Sequence, residues 1–304
     1  MATLREVRLR IKSIRNISQV TRALQAVSTS RVRRATQLLE QTRPYTELAW
    51  KVLKHIANQP GRMSLHPLLA EREEIHQALI VMVSGDRGLA GAYNSNIIRY
   101  TLQIAQEYEK RDIPVSYVVV GRKGRDVLLR GRKSVVAEFS KLPAFPSFTD
   151  VSAIGRLVVD DFLSDNFDEV QLVYTDFKNM MTQIPTRKRI LPLPVGEDEQ
   201  VFELSNVHHL THEQAAVYTY EPDEGGLLDQ IIPRFTAIQI YQAILESLAS
   251  EHAARMVAMK SATDNAVELA NALQLQYNNA RQQSITSEMI DIVGGAEALS
   301  QSVD

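Results

Sequence analysis

Hydrophobic residues recur every three or four positions near the start of the chain. This spacing places their side chains on one stripe of a helix. The stripe comprises Leu4, Val7, Ile11, Ile14, Ile17, Val20, Leu24 and Val27. Thr3 and Glu6 have the spacing of a capping box, and residues 58–61, with proline and glycine, form a stop signal. The pattern predicts a helix over residues 1–58, with a bend near Arg43 because Pro44 follows it.

A second helical pattern begins near Asp223 and continues almost to the last residue. Residues 234–293 contain neither glycine nor proline, the two residues that interrupt helices most often. The predicted stripe comprises Ile231, Phe235, Ile238, Tyr241, Leu245, Leu248, His252, Met256, Met259, Thr263, Ala266, Leu269, Leu273 and Tyr277. Neither helix could bury so long a stripe against a compact domain. We therefore expect the two helices to pair as an antiparallel coiled coil.

The middle of the chain alternates between strand and helix patterns. Predicted strands cover residues 76–85, 115–120, 135–139, 169–177 and 217–220, and predicted helices cover residues 94–111, 122–130 and 150–165. This alternation is typical of a mainly parallel sheet. The predicted fold is therefore α/β, a Rossmann-like domain inserted between N- and C-terminal helices that form a long antiparallel coiled coil. The predicted domains are residues 1–58, 76–222 and 223–304.

Composition narrows the class of protein. With 44% hydrophobic residues, 23% charged residues and a formal charge of -2, the chain is typical of globular proteins and gives nucleic-acid binding no support from global charge. No stretch has the 18 or so apolar residues that a membrane span needs. The first residues lack the apolar segment of a signal peptide, so we expect a cytoplasmic chain. The absence of cysteine excludes disulfides and thiolate metal sites.

Two local patterns have the residue types of a ligand site. The turn at residues 84–91, Ser-Gly-Asp-Arg-Gly-Leu-Ala-Gly, follows a predicted strand and precedes a helix, as phosphate-binding loops do. Its glycine spacing fits neither nucleotide fingerprint, which favours a structural turn or a subunit contact. His208, His209 and His212 have a spacing that a metal could use, but their loop-like segment favours simple solvation. No arrangement of residues indicates catalysis or a cofactor.

Three long segments resemble one family. They are LREVRLRIKSIRNISQVTRAL at residues 4–24, SGDRGLAGAYNSNI at 84–97, and the segment at 250–299 that contains NNARQQSIT. Together with QIPTRKRILPLP and YTYEPD, they resemble the gamma subunits of bacterial F-type ATP synthases over essentially the whole chain. Leu24, Ser28 and Thr29 depart from the family's usual residues, Met at the first position and Ala at the other two.

The resemblance implies a central rotor shaft rather than an enzyme. In such a subunit both chain ends would form a coiled coil inside a ring of three alpha and three beta subunits. The α/β domain would form a foot against the epsilon subunit and the membrane c-ring. Ion flow would turn ring and shaft together and so drive ATP synthesis on the beta subunits. The expected location is the cytoplasmic face of the bacterial inner membrane, as a peripheral part of the complex.

The resemblance also implies particular contacts with the beta subunits. Arg281 and Gln282 match the family's pair that hydrogen-bonds an acidic beta loop, and a guanidinium suits a carboxylate because it binds in a bidentate manner. Plain exposure is the alternative. The basic first helix, which includes Arg8 and Arg10, has three candidate environments: nucleic acid, an acidic beta segment or water. The family favours the beta subunit, with Arg22 and Leu24 as the leading contacts.

Two further groups have an alternative structural explanation. Tyr218, Tyr220 and Glu221 match the family segment near epsilon and the c-ring, but the tyrosines could equally pack in a strand core. The second group would be an apolar bearing tip, or else part of the coiled-coil seam, and comprises Ile285, Met289, Ile292 and Val293. Two rival functions remain: a dinucleotide-dependent oxidoreductase, tested by nucleotide binding, and a basic coiled-coil scaffold for nucleic acid, tested by salt-dependent DNA affinity.

Overall fold

A computed structural model describes residues 4–57, 66–72, 74–194 and 224–301. In chain order the elements are α1 (Leu4–Ala57), β1 (Ala78–Val83), α2 (Tyr93–Glu109), β2 (Val115–Val120), α3 (Arg122–Arg130), β3 (Ser134–Phe139), α4 (Phe148–Leu163), β4 (Glu169–Phe177), β5 (Gln183–Leu191) and α5 (Glu224–Gln301). The chain divides into two compact units. We call residues 1–28 with 256–304 the helical unit, and residues 29–255 the α/β unit.

The helical unit is an antiparallel pair of helices. The Arg8 guanidinium donates to the Tyr277 hydroxyl at 2.8 Å, and Arg15 donates to the Gln274 side chain at 3.3 Å. Further along α1, the hydroxyls of Thr21 and Thr263 lie 2.6 Å apart. As the number of the α1 residue rises, that of its α5 partner falls. This register confirms the antiparallel pairing predicted from the two terminal patterns.

The seam of the helical unit differs from the predicted stripe on α1. Ile11, Ser18, Thr21 and Ser28 are buried there. In contrast, Ile17, Val20 and Val27 are each about half exposed, and the prediction that they lie in the seam is wrong. The small side chains of serine and threonine allow two helices to approach closely, and the hydroxyls of Ser28 and Thr21 bond to carbonyls within their own helix. A pattern based on hydrophobicity therefore selected the wrong face.

The corresponding seam on α5 follows the prediction more closely. Met259, Thr263, Ala266 and Ala270 are buried at alternating spacings of three and four, as in a coiled coil. Leu269 was predicted to lie in the stripe but is 51% exposed, because its neighbour Ala270 occupies the seam instead. A small residue thus fills the position that the larger, more hydrophobic residue was expected to take.

The α/β unit is built on a five-stranded sheet in the order β3-β2-β1-β4-β5. The first four strands are mutually parallel, and β5 pairs antiparallel with β4. This confirms the mainly parallel sheet. Strand β5 was not predicted from the sequence, because Pro185 and five cationic or polar residues within it obscure the strand pattern. An edge strand needs no continuous apolar run, which explains why its pattern is weak.

Helix boundaries within the α/β unit depend on caps. Helix α4 begins at Phe148, two residues before its predicted start, because Ser147 and Asp150 form a capping box. The Asp150 carboxylate accepts from the Ser147 hydroxyl at 2.7 Å and from the Ser147 amide at 2.8 Å, and these two bonds lower the pKa of that carboxyl. Helix α1 continues through Pro44 to Ala57, close to the predicted end. Thr3 and the predicted strand at 217–220 lie outside the described residues.

The first part of α5 packs against the sheet within the α/β unit. Ser247 accepts a hydrogen bond from the Thr175 amide at 3.1 Å, and Ser250 donates to the Thr175 carbonyl at 3.2 Å. Close packing with α4 depends on Gly155, where an added Cβ would lie 2.6 Å from the Ala237 Cβ. These contacts fix this part of α5 to the sheet. Within the part of the chain that the structure describes, no helix has the length and apolarity needed to cross a bilayer.

Candidate functional site

The glycine-rich turn at residues 84–91 is held by side chains from the helix that follows it. Asn94 in α2 accepts from the Gly85 amide at 2.9 Å and donates to the Arg87 carbonyl at 3.1 Å. Gly85 allows this close approach, because an added Cβ would lie 3.0 Å from both the Asn94 oxygen and the Glu251 carboxylate. The turn is therefore a packed structural element at the carboxyl edge of the parallel strands.

The first amides of α3, which a phosphate would require, are already bonded within the chain. Asp86 in the turn accepts from the Arg122 amide and from the Lys141 amide, each at 3.0 Å. The Gly124 amide donates to the Ser84 hydroxyl, also at 3.0 Å. A carboxylate of the protein thus occupies the anion position at this helix N-terminus. This arrangement favours the structural interpretation of the turn over a nucleotide loop.

Three residues of α5 complete the site from the opposite side. Arg255 donates to the Gly88 carbonyl at 3.3 Å and forms a short ion pair with Glu251. Its other terminal nitrogen lies 3.1 Å from Nδ1 of His252. From the sequence, His252 was predicted only as a member of the packing stripe of the second helix, and Glu251 and Arg255 were not predicted to have a role. The one sequence feature that linked these α5 residues to the turn is that residues 84–97 and 250–299 both carry the family resemblance.

The protonation state of His252 follows from its neighbours. An arginine can only donate, so Nδ1 accepts and the ring proton of neutral His252 lies on Nε2. Burial, reinforced by the positive charges of Arg255 and Arg31, lowers the pKa of His252 to about 3. The side chain is 4% exposed, and Nε2 has no hydrogen-bond partner among the described residues. His252 is therefore a neutral imidazole whose Nε2–H donor is unused.

This buried imidazole predicts an acid-sensitive fold. The unfolded chain gains a proton on His252 below a pH of about 6.5, whereas the folded chain does not until about 3. The contribution of neutral His252 to the free energy of unfolding should therefore be complete above pH 6.5. Below that pH it should fall by about 1.4 kcal/mol per pH unit. Urea unfolding at pH 6.5 and 5 should show a loss of roughly 2 kcal/mol from this group. His252→Gln should remove that component, and an unchanged pH slope in this variant would contradict it.

The residues predicted to contact a beta subunit lie mostly on the surface of the helical unit. Arg10, Arg22, Arg281 and Gln282 are exposed, and Leu24 is half-buried. No hydrogen bond or ion pair joins the side chain of Arg22 or Arg281 to another described residue. Arg8 is exposed but already engaged, with its guanidinium bonded to Tyr277 and 5.5 Å from the centre of that ring.

The predicted apolar tip is strongly exposed within the helical unit. Ile285 is 46% exposed and Met289, Ile292 and Val293 are each more than 60% exposed. The register explains this exposure. Because Arg8 lies beside Tyr277 and the chain runs antiparallel, the first described residue of α1 lies near residue 281 of α5. Among the described residues, none of α1 therefore remains to form a seam with the tip.

Several predicted site residues lie outside the described ranges. They are Tyr218, Tyr220, Glu221, His208, His209 and His212. Across residues 4–57, 66–72, 74–194 and 224–301, no group of three or more His, Asp or Glu side chains is arranged to hold a metal ion.

Comparison with known proteins gives a consistent result over almost the whole chain. A family model described as ATP synthase matches residues 3–299. The chain is 39% identical over 301 residues to the ATP synthase gamma chain of Roseiflexus castenholzii, covering 99% of this chain and all of that protein. It is 42% identical to the ATP synthase gamma chain of Dehalococcoides mccartyi, covering 98% and 100% respectively.

Two solved structures with the same fold come from mitochondrial ATP synthases. A chain of the Euglena gracilis enzyme, in a structure of its F1 and c-ring, superposes with a TM-score of 0.65 at 20% identity and covers 97% of this chain and 94% of that one. A chain from the central stalk and c-ring of the Tetrahymena thermophila enzyme gives a TM-score of 0.61 at 23% identity, covering 80% and 99%.

Proposed function

Because the chain belongs to the family of ATP synthase gamma chains, we propose that it forms the rotating central stalk of an ATP synthase and couples ion flow to ATP synthesis. The observation that carries this proposal is the 39% identity that extends over 99% of this chain and the full length of a gamma-chain relative. The role is that of a non-catalytic subunit, so the ATP chemistry belongs to the assembly.

We propose that each of the three predicted sequence regions has its own role in the stalk. Residues 1–58 and 223–304 would form the shaft, and residues 76–222 the foot. An antiparallel helical pair with interlocked seam residues suits a shaft, since it resists bending and twisting better than a single helix. The bonds from Ser247 and Ser250 of α5 to Thr175 of β4 support the foot's role, because torque applied to the sheet would pass directly into α5.

The partners of the foot would be the epsilon subunit and the membrane c-ring. Tyr218, Tyr220 and Glu221 are the residues that we assign to this contact, on the family resemblance alone. The complex would then lie at the cytoplasmic face of a bacterial inner membrane, with this subunit attached peripherally. The gamma-chain relatives at 39% and 42% identity support an assignment to the ATP synthase complex.

The partners of the shaft would be the alpha and beta subunits. We assign the beta contact to exposed and half-buried positions near both ends of the helical pair, namely Arg8, Arg10, Arg22, Leu24, Arg281 and Gln282. A rotating shaft changes the affinity of a catalytic site only if it contacts that subunit's open and closed forms with different free energy. Each tenfold change in nucleotide affinity requires about 1.4 kcal/mol of that difference. A charge-assisted hydrogen bond from an arginine supplies energy of this order.

The end of α5 would act as a bearing. Ile285, Met289, Ile292 and Val293 are exposed and apolar, and dispersion forces have no preferred direction. An apolar tip inside a hydrophobic collar would therefore rotate without being trapped strongly at one angle. The exposure of these side chains in the free subunit supports this role over that of an internal seam.

The test of the beta contact is replacement of Arg281 by alanine in a reconstituted alpha-beta-gamma complex. We expect ATP turnover to slow about tenfold, since one charge-assisted contact worth roughly 1.4 kcal/mol is lost. Arg281→Lys should recover only part of the rate, because an ammonium cannot bind a carboxylate in the same bidentate manner.

The control is Arg99→Ala, which removes an exposed arginine of α2. It should leave turnover unchanged. Circular dichroism of each free variant should match the unmodified chain, because Arg281 has no partner within the described residues. Full turnover in Arg281→Ala would remove this residue from the proposed contact.

A further inference from the structure

A cavity of about 350 Å³ opens within the α/β unit at the carboxyl ends of β1, β2 and β3. Its volume lies within the range of small-ligand sites, and the ends of parallel strands are where α/β proteins bind ligands most often. The lining combines the turn after β1, the segment after β3 and one face of α5. The proposed stalk function makes no use of this cavity.

The charges around the cavity do not balance. Five cationic side chains line it, together with two carboxylates: Arg31, Arg87, Arg122, Lys141, Arg255, Asp86 and Glu251. The two carboxylates are already committed, because Glu251 pairs with Arg255, and Asp86 accepts from two amides and lies 3.6 Å from Nε of Arg122. Three positive charges are therefore left over.

The three surplus cations have no partner of their own. The side chains of Arg31, Arg87 and Lys141 form no hydrogen bond or ion pair with any other described residue. Arg87 and Lys141 are exposed, but Arg31 is only partly accessible and lies close enough to depress the pKa of His252. Holding such like charges together costs free energy that an anion would recover.

A second, independent observation points to the same kind of ligand. His252 lines the cavity and is only 4% exposed, and its Nε2–H donor has no acceptor among the described residues. A buried donor with no partner is unfavourable unless a water or ligand oxygen satisfies it. Because Nδ1 already accepts from Arg255, His252 can offer this site only a donor.

We propose that this cavity binds the tetrahedral oxyanion of a phosphate group. Its oxygens would accept hydrogen bonds from Arg31 and the Nε2–H of His252, and the exposed cations Arg87 and Lys141 would balance the remaining charge. Asp86 and Arg122 at the N-terminus of α3 also line the cavity, but Asp86 already accepts from the Arg122 amide, so side chains rather than these amides would hold the phosphate. Apolar lining from Phe139, Leu142 and Leu248 would exclude water and strengthen these interactions.

The test is isothermal titration calorimetry on the full-length chain, with inorganic phosphate in one arm and ADP in the other, at constant ionic strength. Binding of both indicates that free phosphate occupies the cavity, whereas binding of ADP alone indicates an organic phosphate whose remaining part contacts the apolar wall. Either result supports the proposal. Absence of heat in both arms overturns it, as would be the case if water alone, or an acidic segment of another protein, satisfied these groups.

Two variants separate this site from general charge attraction. Arg31→Gln should weaken binding by at least about tenfold, the equivalent of one charge-assisted bond. Arg99→Gln removes an equal charge from the exposed face of α2 and should leave affinity unchanged. Equal affinities in these two variants would overturn the assignment. Lys141→Gln gives a second measurement if Arg31→Gln unfolds. It should weaken phosphate binding and make the remaining affinity less dependent on salt concentration.

Discussion

Replacing Phe235 by alanine should destabilise the α/β unit by about 4 kcal/mol, the largest effect that we expect from a single truncation. The ring is 1% exposed and belongs to the main core, where it stacks on Trp50 with 5.6 Å between ring centroids. Its removal loses both the transfer free energy of the ring and the ring's dispersion contacts with the surrounding core side chains. The stacked pair also joins α1 to α5 within this unit.

The measurement is urea unfolding followed by fluorescence. Trp50 is the only tryptophan of the chain, so its emission reports directly on the environment of the missing ring. Phe235→Leu should cost less, because more of the volume is kept. Leu129→Ala, at a position that is 54% exposed, should change stability by no more than about 0.5 kcal/mol. A similar midpoint for Phe235→Ala and this surface control would refute the expected role in the core.

Replacing Gly121 by alanine should cost about 3 kcal/mol or more, through the backbone rather than the core. Gly121 has a φ of 94°, which side-chain-bearing residues rarely adopt. An added Cβ would also lie 2.1 Å from the Ser84 carbonyl oxygen, so the end of β1 would have to move away from β2. That movement would break the hydrogen bond that the Gly124 amide donates to the Ser84 hydroxyl.

The matched control is Gly131→Ala at the other end of α3. Gly131 has a φ of -78°, and the nearest atoms to an added Cβ lie 3.5 Å away, which is ordinary contact. Thermal unfolding should therefore show a clear loss for Gly121→Ala and a change of at most about 1 kcal/mol in either direction for the control. Equal melting temperatures would mean that β1 and β2 adjust without cost.

The family resemblance seen in the sequence is confirmed by the comparisons, and so is the fold class. Both depend on long stretches of local pattern: the absence of glycine and proline over the helices, and apolar runs such as those of β1 and β2. The face of each helix was harder to predict. Ile17 and Val20 satisfied the hydrophobic spacing but are exposed, while the residue that follows each of them, Ser18 and Thr21, is buried.

The site at the carboxyl edge of the sheet was the least accessible to sequence reasoning. The turn at residues 84–91 was predicted to be a structural turn or a subunit contact, because its glycine spacing fits no nucleotide fingerprint. The turn is held in place by Asp86, whose carboxylate accepts from the Arg122 and Lys141 amides. These two amides meet Asp86 only because β1, β2 and β3 lie parallel in the sheet. A carboxylate in a turn looks the same in sequence whether it is solvated or bonded to two distant amides.

By itself, the sequence determined the type of each long element and the family, because helical periodicity, strand runs and extended motifs are properties of neighbouring residues. Only the tertiary structure decided which side chains are buried, which charges are paired and where a cavity is left. Arg31, Asp86 and His252 lie far apart along the chain, and the balance among their charges depends on distances that exist only after folding. Interactions through space, unlike patterns along the chain, cannot be read before the fold brings their partners together.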